Sequence, residues 1–534
     1  MADATLTQAP PGGHLIQAGE IDWLKVFLGF GGMVIGQFMA VLDVQIVASS
    51  LSQIQAGVGA SSDEISWVQT IYLLAEVVMI PLTAYFSKMW GTRPFFMAAV
   101  ATFIVASILT GLSTTFEMMI VTRALQGLAG GAMIPQVFAS AMTVFPPERR
   151  VTANVVVGLI VTLAPTVGPT IGGHLTEALG WRWLFYINVI PGLLSLFLVS
   201  RYVNFDKGDP SLSKGIDWIG LALMAVFLLS MQYVLEEGAG DGWLKEGKIL
   251  WLSVLALLAG VAFAWRQLTY RQPIVSLAPF TDRNFALGTV MNFVSGMSLY
   301  SGTFVLPLYL AQVRGFSPAQ VGTTMLVSGL TMFLAAPIAG RLIRTMDLRI
   351  GLVVGFSLVG IGLGQGLHVG ADWGFNEFLV LQVCRGLGAM IGMIAASQMS
   401  ISTLPLSMMK DGSGLLNLIR NVGGAVGLAM VTTILAHQSA VHLGELSASL
   451  NSSSLEAQGM MTQLSGMMQA SGALDPDGGM RKLMGMMLRR QALVMAFADV
   501  FMFLTAGCAV AVGLALLARP APAVPVQPPG GGGH

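Results

Sequence analysis

Residues Val26 to Leu51 read VFLGFGGMVIGQFMAVLDVQIVASSL. The run is 26 residues long and almost wholly apolar. That is enough to cross a hydrocarbon core of about 30 Å as a tilted helix. It carries one charge, Asp43. A carboxylate inside a membrane helix is costly, and by default it faces a partner or a water-filled cavity. Two later apolar runs carry Glu76 and Arg123, and the expectation is that both meet Asp43. Such a group marks an ion or substrate path, or it forms an ion pair that only holds helices together.

Composition sets the class. Of 534 residues, 54% are hydrophobic and only 10% charged, against about 25% charged in a soluble domain. The chain reads as a polytopic helical membrane protein. Net charge is zero, so nothing draws it to nucleic acid. Cys384 and Cys508 lie in apolar runs and read as small hydrophobes rather than as a disulfide or metal pair. The N-terminal segment lacks a basic region leading into a short apolar core, so no cleaved signal peptide is expected.

Fourteen spans are expected, at roughly 26–51, 65–86, 94–112, 116–141, 153–175, 183–201, 216–235, 248–266, 285–312, 319–342, 350–369, 375–401, 413–437 and 492–518. Lys and Arg crowd the loops on the side that holds both termini, which the positive-inside rule assigns to the cytoplasm. A repeat runs through the chain. PLTAYFSKMWGTRPFF from Pro81 answers PIAGRLIRTMDLRIGL from Pro337, so that Lys88 matches Arg344 and Arg93 matches Arg349. Arg123-Ala-Leu likewise answers Arg385-Gly-Leu. The expected layout is a segment 1–25, a six-helix half 26–201, two extra helices with linkers in 202–284, a second half 285–518 and a disordered tail 519–534.

The sharpest motif is LAPTVGPTIGG, Leu163 to Gly173, followed by WRWLFYINVIPG, Trp181 to Gly192. Small residues let helices pack closely and proline weakens the helical ladder, which predicts a bend. Gly168, Pro169, Gly172 and Gly173 resemble the antiporter motif of major facilitator drug exporters. VLDVQIV around Asp43, TRALQG with Arg123 and PPERR at Pro146 to Arg150 are similar to further motifs of that superfamily. The resemblance covers essentially the whole chain and falls on the fourteen-helix EmrB/QacA-type drug:proton antiporters, within them on EmrB-like inner-membrane pumps of tripartite efflux systems. It implies an all-α membrane fold of two six-helix halves plus two central helices in a bacterial inner membrane. The family's loop between helices 2 and 3 usually carries an aspartate. Here Lys88, Gly91 and Arg93 remain without it, which puts the usual latch in doubt.

The resemblance implies proton-coupled export of small hydrophobic drugs by alternating access, with a periplasmic adaptor, an outer-membrane channel and membrane lipid as partners. No Gly-x-x-x-x-Gly-Lys-Ser/Thr loop is present, so ATP is not the expected energy source, and no cofactor is expected. Counted from the outer ends of their spans, Asp43 lies on the order of 12 Å deep and Arg123 on the order of 10 Å, so an ion pair is feasible. Burial favours the neutral acid and a nearby arginine favours the carboxylate. That opposition suits proton exchange. Glu76 lies nearer the midplane. Gln37, Gln45, Tyr72, Asn292, Tyr300 and Gln398 are candidates for lining a substrate cavity, or equally for satisfied core polar groups. Arg385 and Arg420 meet no acid on helices 9 to 13. They are expected to bind backbone carbonyls or anionic substrate groups, or to serve structure.

Residues 438–491 read as a long outer loop, with a methionine face from Met460, Met461, Leu464, Met467 and Met468. It suits an adaptor dock, an anionic-lipid contact or a flexible lid. A lipid enzyme is disfavoured because no His-Glu-x-x-His is present. An exporter of lipid, fatty acid or siderophore, and a sensor or scaffold that has lost transport, stay open as alternatives.

Overall fold

The computed structural model describes residues 22–48, 50–61, 64–405, 408–449, 459, 462 and 476–517. These residues are almost wholly helical. The helices are α1 (Trp23–Ala48), α2 (Leu51–Val58), α3 (Trp67–Trp90), α4 (Thr92–Gly111), α5 (Phe116–Thr143), α6 (Pro147–Leu179), α7 (Trp183–Tyr186) and α8 (Val189–Tyr202), then α9 (Trp218–Glu237) and α10 (Gly247–Thr269). The chain continues through α11 (Arg283–Gln312), α12 (Pro318–Thr345), α13 (Leu348–Gln365), α14 (Leu379–Ile401), α15 (Met409–Ser449) and α16 (Pro476–Leu516). With α7 and α8 taken as one interrupted span, the number of crossings matches the fourteen expected. Among the described residues, twelve helices are long and apolar enough to cross a membrane by length and composition. The other two, α5 and α6, have the length but carry more glycine, threonine and charge.

Two bundles form. In the first, α3 and α4 pack on α5, and α1 packs on α6 and α8. In the second, α13 packs on α14 and α16, α12 on α14, and α11 on α15. The bundles meet where α6 lies along α12, and where α15 lies against α3 and α5. The extra helices have unequal places. α9 packs against both α3 and α15, bridging the bundles, whereas α10 rests chiefly on α9. α10 turns Trp251, Leu257, Leu258, Val261, Trp265 and Leu268 outward, as a lipid-facing helix should, because lipid tails need no polar cover.

Two expectations change. The outer excursion 438–491 is not loop throughout. Its described ends continue α15 to Ser449 and begin α16 at Pro476, each helix 41 residues long. At 1.5 Å per residue each helix is about 60 Å long, twice the hydrocarbon core, so both project past the membrane. The Met460–Met468 face and the tail 519–534 lie outside the described residues. The sixth span is broken between Tyr186 and Val189. Pro191 has no N–H to give the carbonyl of Ile187, which loosens the ladder at that turn.

Candidate functional site

Asp43 on α1 and Arg123 on α5 are both completely buried and form an ion pair from Arg123 Nη1 to Asp43 Oδ2. Glycines bring the pair together. A Cβ at Gly127 of α5 would stand 2.2 Å from the Tyr72 carbonyl of α3, and one at Gly131 would stand 2.5 Å from that of Glu76. Only glycine lets these backbones approach so closely. The close approach lets Arg123 Nε donate to the Val68 carbonyl at 3.0 Å and sets its guanidinium 4.5 Å from the centre of the Tyr72 ring.

The other carboxylate oxygen is served by amides. Asn188 Nδ2 donates to Asp43 Oδ1 at 2.7 Å, and Gln126 Nε2 approaches the same oxygen at 3.5 Å. Gln126 also donates to Ser107 Oγ at 2.7 Å and accepts from Arg123 Nη1 at 3.2 Å and Thr110 Oγ1 at 3.1 Å. Asn188 stands at the break between α7 and α8, where the interrupted span turns its side chain to α1. Both amides fall inside motifs quoted above, WRWLFYINVIPG and TRALQG, but neither was singled out. A polar side chain in an apolar span was the available signal.

Glu76 does not join this pair. Among the described residues it has no ion pair with Arg123. It lines a separate cavity of about 300 Å³ between α1, α3, α9, α11 and α15. Gln45 and Tyr300 line it too, and Tyr300 donates from its hydroxyl to Asn421 Oδ1 at 3.3 Å. The bridging helix α9 adds Gln232 and Glu236, whose side chains bond at 3.0 Å. The lining therefore holds two carboxylates and no basic side chain.

Other expected lining residues lie elsewhere. Tyr72 is buried beneath Arg123 and donates to the Ala40 carbonyl at 3.2 Å. Asn292 is spent on the Gly288 carbonyl, Ser400 and Ser397. Gln37 and Gln398 are buried in the helix packing. Arg385 and Arg420 line a different, smaller cavity in the second bundle. They bond the side chains of Ser328, Thr303 and Asn417 rather than backbone carbonyls.

The glycine motif of α6 sits between the bundles. Gly168 faces α1, where an added Cβ would be 2.5 Å from Gln45 Cβ. Two residues on, Thr170 faces α12, where a Cβ at Gly322 would be 2.1 Å from Thr170 Oγ1. Gly172 is buried, while Gly173 has open space around it. Pro169 is in continuous helix, and its side chain lies outside the described residues.

At the other end of α3, Lys88 reaches both carboxylate oxygens of Asp411 on α15 at 2.6 Å. Lys410 pairs with Asp206, which also accepts from the Thr92 backbone N–H at 2.8 Å. The acid missing from this loop is thus replaced by Asp206 and Asp411, far off in sequence. Gly91 makes the turn with φ +87°, and Arg93 is exposed. Glu76 lies twelve residues, about 18 Å, along α3 from this latch, so the cavity belongs to the opposite end.

Against known proteins, the model of the Major Facilitator Superfamily matches residues 33–428. The chain belongs to that superfamily. It is similar to the "Colistin resistance protein EmrB" of Acinetobacter baumannii, with 38% identity over 79% of this chain and 82% of that protein. It is also similar to the "Multidrug export protein EmrB" of Escherichia coli K12, with 27% identity over 93% and 95%. In fold it resembles a crystal structure of the human organic anion transporter MFSD10, with TM-score 0.54 and 12% identity over 90% of this chain and 99% of that one. As a major facilitator protein the chain is a multi-pass membrane transporter, not an enzyme, and its Asp43–Arg123 pair lies in the first of the two bundles.

Proposed function

We propose that this chain is a proton-coupled exporter of hydrophobic and amphipathic drugs, working by alternating access between the two bundles. The observation that carries the reading is the buried Asp43–Arg123 pair beside a carboxylate-lined cavity. Arg123 and Tyr72 tie α5 to α3, and Glu76 sits one turn of α3 beyond Tyr72. Protonation of Asp43 removes half of the ion pair and frees Arg123, Asn188 and Gln126 to rearrange. That rearrangement acts on α3, which forms one wall of the cavity. Cation charge on a drug is met by Glu76 and Glu236, and its apolar body by Leu73, Leu235, Phe304 and Leu428. Gly168 seats α6 closely on α1 within the first bundle, and the close approach of Thr170 to Gly322 of α12 provides the contact along which the bundles rock.

The similarity to EmrB multidrug export proteins supports this substrate class. In this reading the latched end is cytoplasmic and the cavity opens toward the outer side. The helical projections of α15 and α16 then stand in the periplasm, and this excursion seats an adaptor leading to an outer-membrane channel. The test uses everted membrane vesicles energised to an acidic interior. Drug addition should release protons from wild type and not from Asp43→Asn. Equal proton release from both would overturn the coupling assignment.

A further inference from the structure

Arg385 on α14 and Arg420 on α15 line one cavity of about 30 Å³, with Ser295, Ser298 and Thr303 of α11 and Ser328 of α12. The arginines are 6% and 4% exposed. Arg385 donates from Nη2 to Ser328 Oγ at 2.7 Å and from Nη1 to Thr303 Oγ1 at 3.4 Å. Arg420 donates to Asn417 and lies 4.7 Å from the centre of the Phe138 ring. The Nε atoms of both arginines and the hydroxyl of Ser295 have no partner among the described residues.

Among the described residues no acid answers these charges. Helices α11 to α14 contain neither aspartate nor glutamate, and α15 carries only Asp411 and Glu445, near its ends. Asp411 is taken by Lys88 and Asp499 of α16 by His442. Arginine does not shed its proton, and a buried charge without a partner is strongly unfavourable. Two like charges on one small cavity add to that. In the first bundle the matching arginine, Arg123, is neutralised by Asp43. The second bundle keeps the cation and lacks the acid.

We propose that this cavity binds one small monovalent anion of chloride size as the counter-ion of Arg385 and Arg420. Its volume exceeds the 10–15 Å³ or so that one water needs and is too small for a drug. The hydroxyls of Ser328 and Ser295 are donors of the kind an anion requires, while Thr303 gives its proton to the Leu299 carbonyl at 2.7 Å. The site does not depend on the export reading above.

The test is thermal unfolding of the purified full chain in detergent at constant ionic strength, with sodium gluconate replaced stepwise by chloride or bromide. A saturable rise in Tm is expected, because a ligand that binds only the folded state stabilises it. Arg385→Gln should abolish the rise. Ser328→Ala removes no charge and keeps the test open if the arginine variant does not fold. It should raise the half-saturating chloride concentration about tenfold. An acetate arm distinguishes sources: a rise equal to that with chloride would support an anion site that also takes the carboxylate of an organic acid. No saturable difference between halide and gluconate, or a full halide response in Ser328→Ala and Arg385→Gln, would overturn the proposal.

Discussion

Lys88 and Asp411 meet across 323 residues of chain, with the lysine ammonium 2.6 Å from each carboxylate oxygen. The pair ties the first bundle to the second at one end of the molecule. Lys410 and Asp206 form a second tie beside it. Partly exposed ion pairs are worth up to about 1 kcal/mol each. In the proposed alternating-access cycle that is a useful size for a latch that opens once per cycle.

Lys88→Ala should therefore populate the form open at this end several-fold more. Spin-label distances between the latched ends of α3 and α15 would report it. The exchange Lys88→Asp with Asp411→Lys should restore most of the closed population, since it rebuilds the pair. Distances unchanged from wild type in Lys88→Ala would show that packing alone holds this end.

Asp43→Asn should abolish drug-driven proton release while the protein still folds. Asparagine keeps one acceptor oxygen for Arg123 or Asn188, which bond different oxygens of Asp43, and cannot exchange a proton. The variant leaves a buried arginine without its counter-charge, so a loss of stability of up to about 3–5 kcal/mol is expected. Resistance assays and the unfolding temperature of the purified variant check the two effects separately.

Gly168→Leu should block export, whereas Gly173→Ala should be close to neutral. The first drives a side chain into Gln45, with overpacking of about 1–3 kcal/mol. The second enters open space. Equal export by both, at matched expression, would mean that the α6–α1 contact carries no part of the motion.

Glu76→Gln and Glu236→Gln should each weaken binding of cationic drugs about tenfold and leave neutral ones within about twofold. Removing a carboxylate from a low-dielectric wall costs a cation its charge partner without altering apolar contact. Fluorescence binding to purified protein with a matched cationic and neutral pair measures this. Uniform loss across both classes would point to damage to the fold.

Replacing 450–475 with a short Gly/Ser linker should leave transport in vesicles intact and abolish resistance in whole cells. The segment bridges the projecting ends of α15 and α16. Full resistance together with retained adaptor capture would remove the docking role. Arg490, on the same excursion, already has a structural reason for its place. It bonds the Val313 and Ala371 carbonyls at 3.0 and 2.8 Å.

The membrane class, the fourteen spans and the two-bundle plan were legible in the sequence. Each rests on local signals: apolar run length, Lys and Arg bias, and motifs a few residues long. Depth counting also put Asp43 level with Arg123, because rise per residue is fixed in a helix. What it could not supply was azimuth, the direction in which each side chain leaves its helix. The sequence offers Glu76 as a partner of Asp43, yet α3 turns it into the cavity. Asn188 reaches Asp43 only because the sixth span breaks beside it. Glu236 enters the cavity only because α9, an apparent spacer, wedges between α3 and α15. Lys88 finds Asp411 by the same route. Hydropathy determines that a segment spans, but which residues of distant spans touch depends on close packing of glycine-bearing faces, and that exists only once the bundles have assembled.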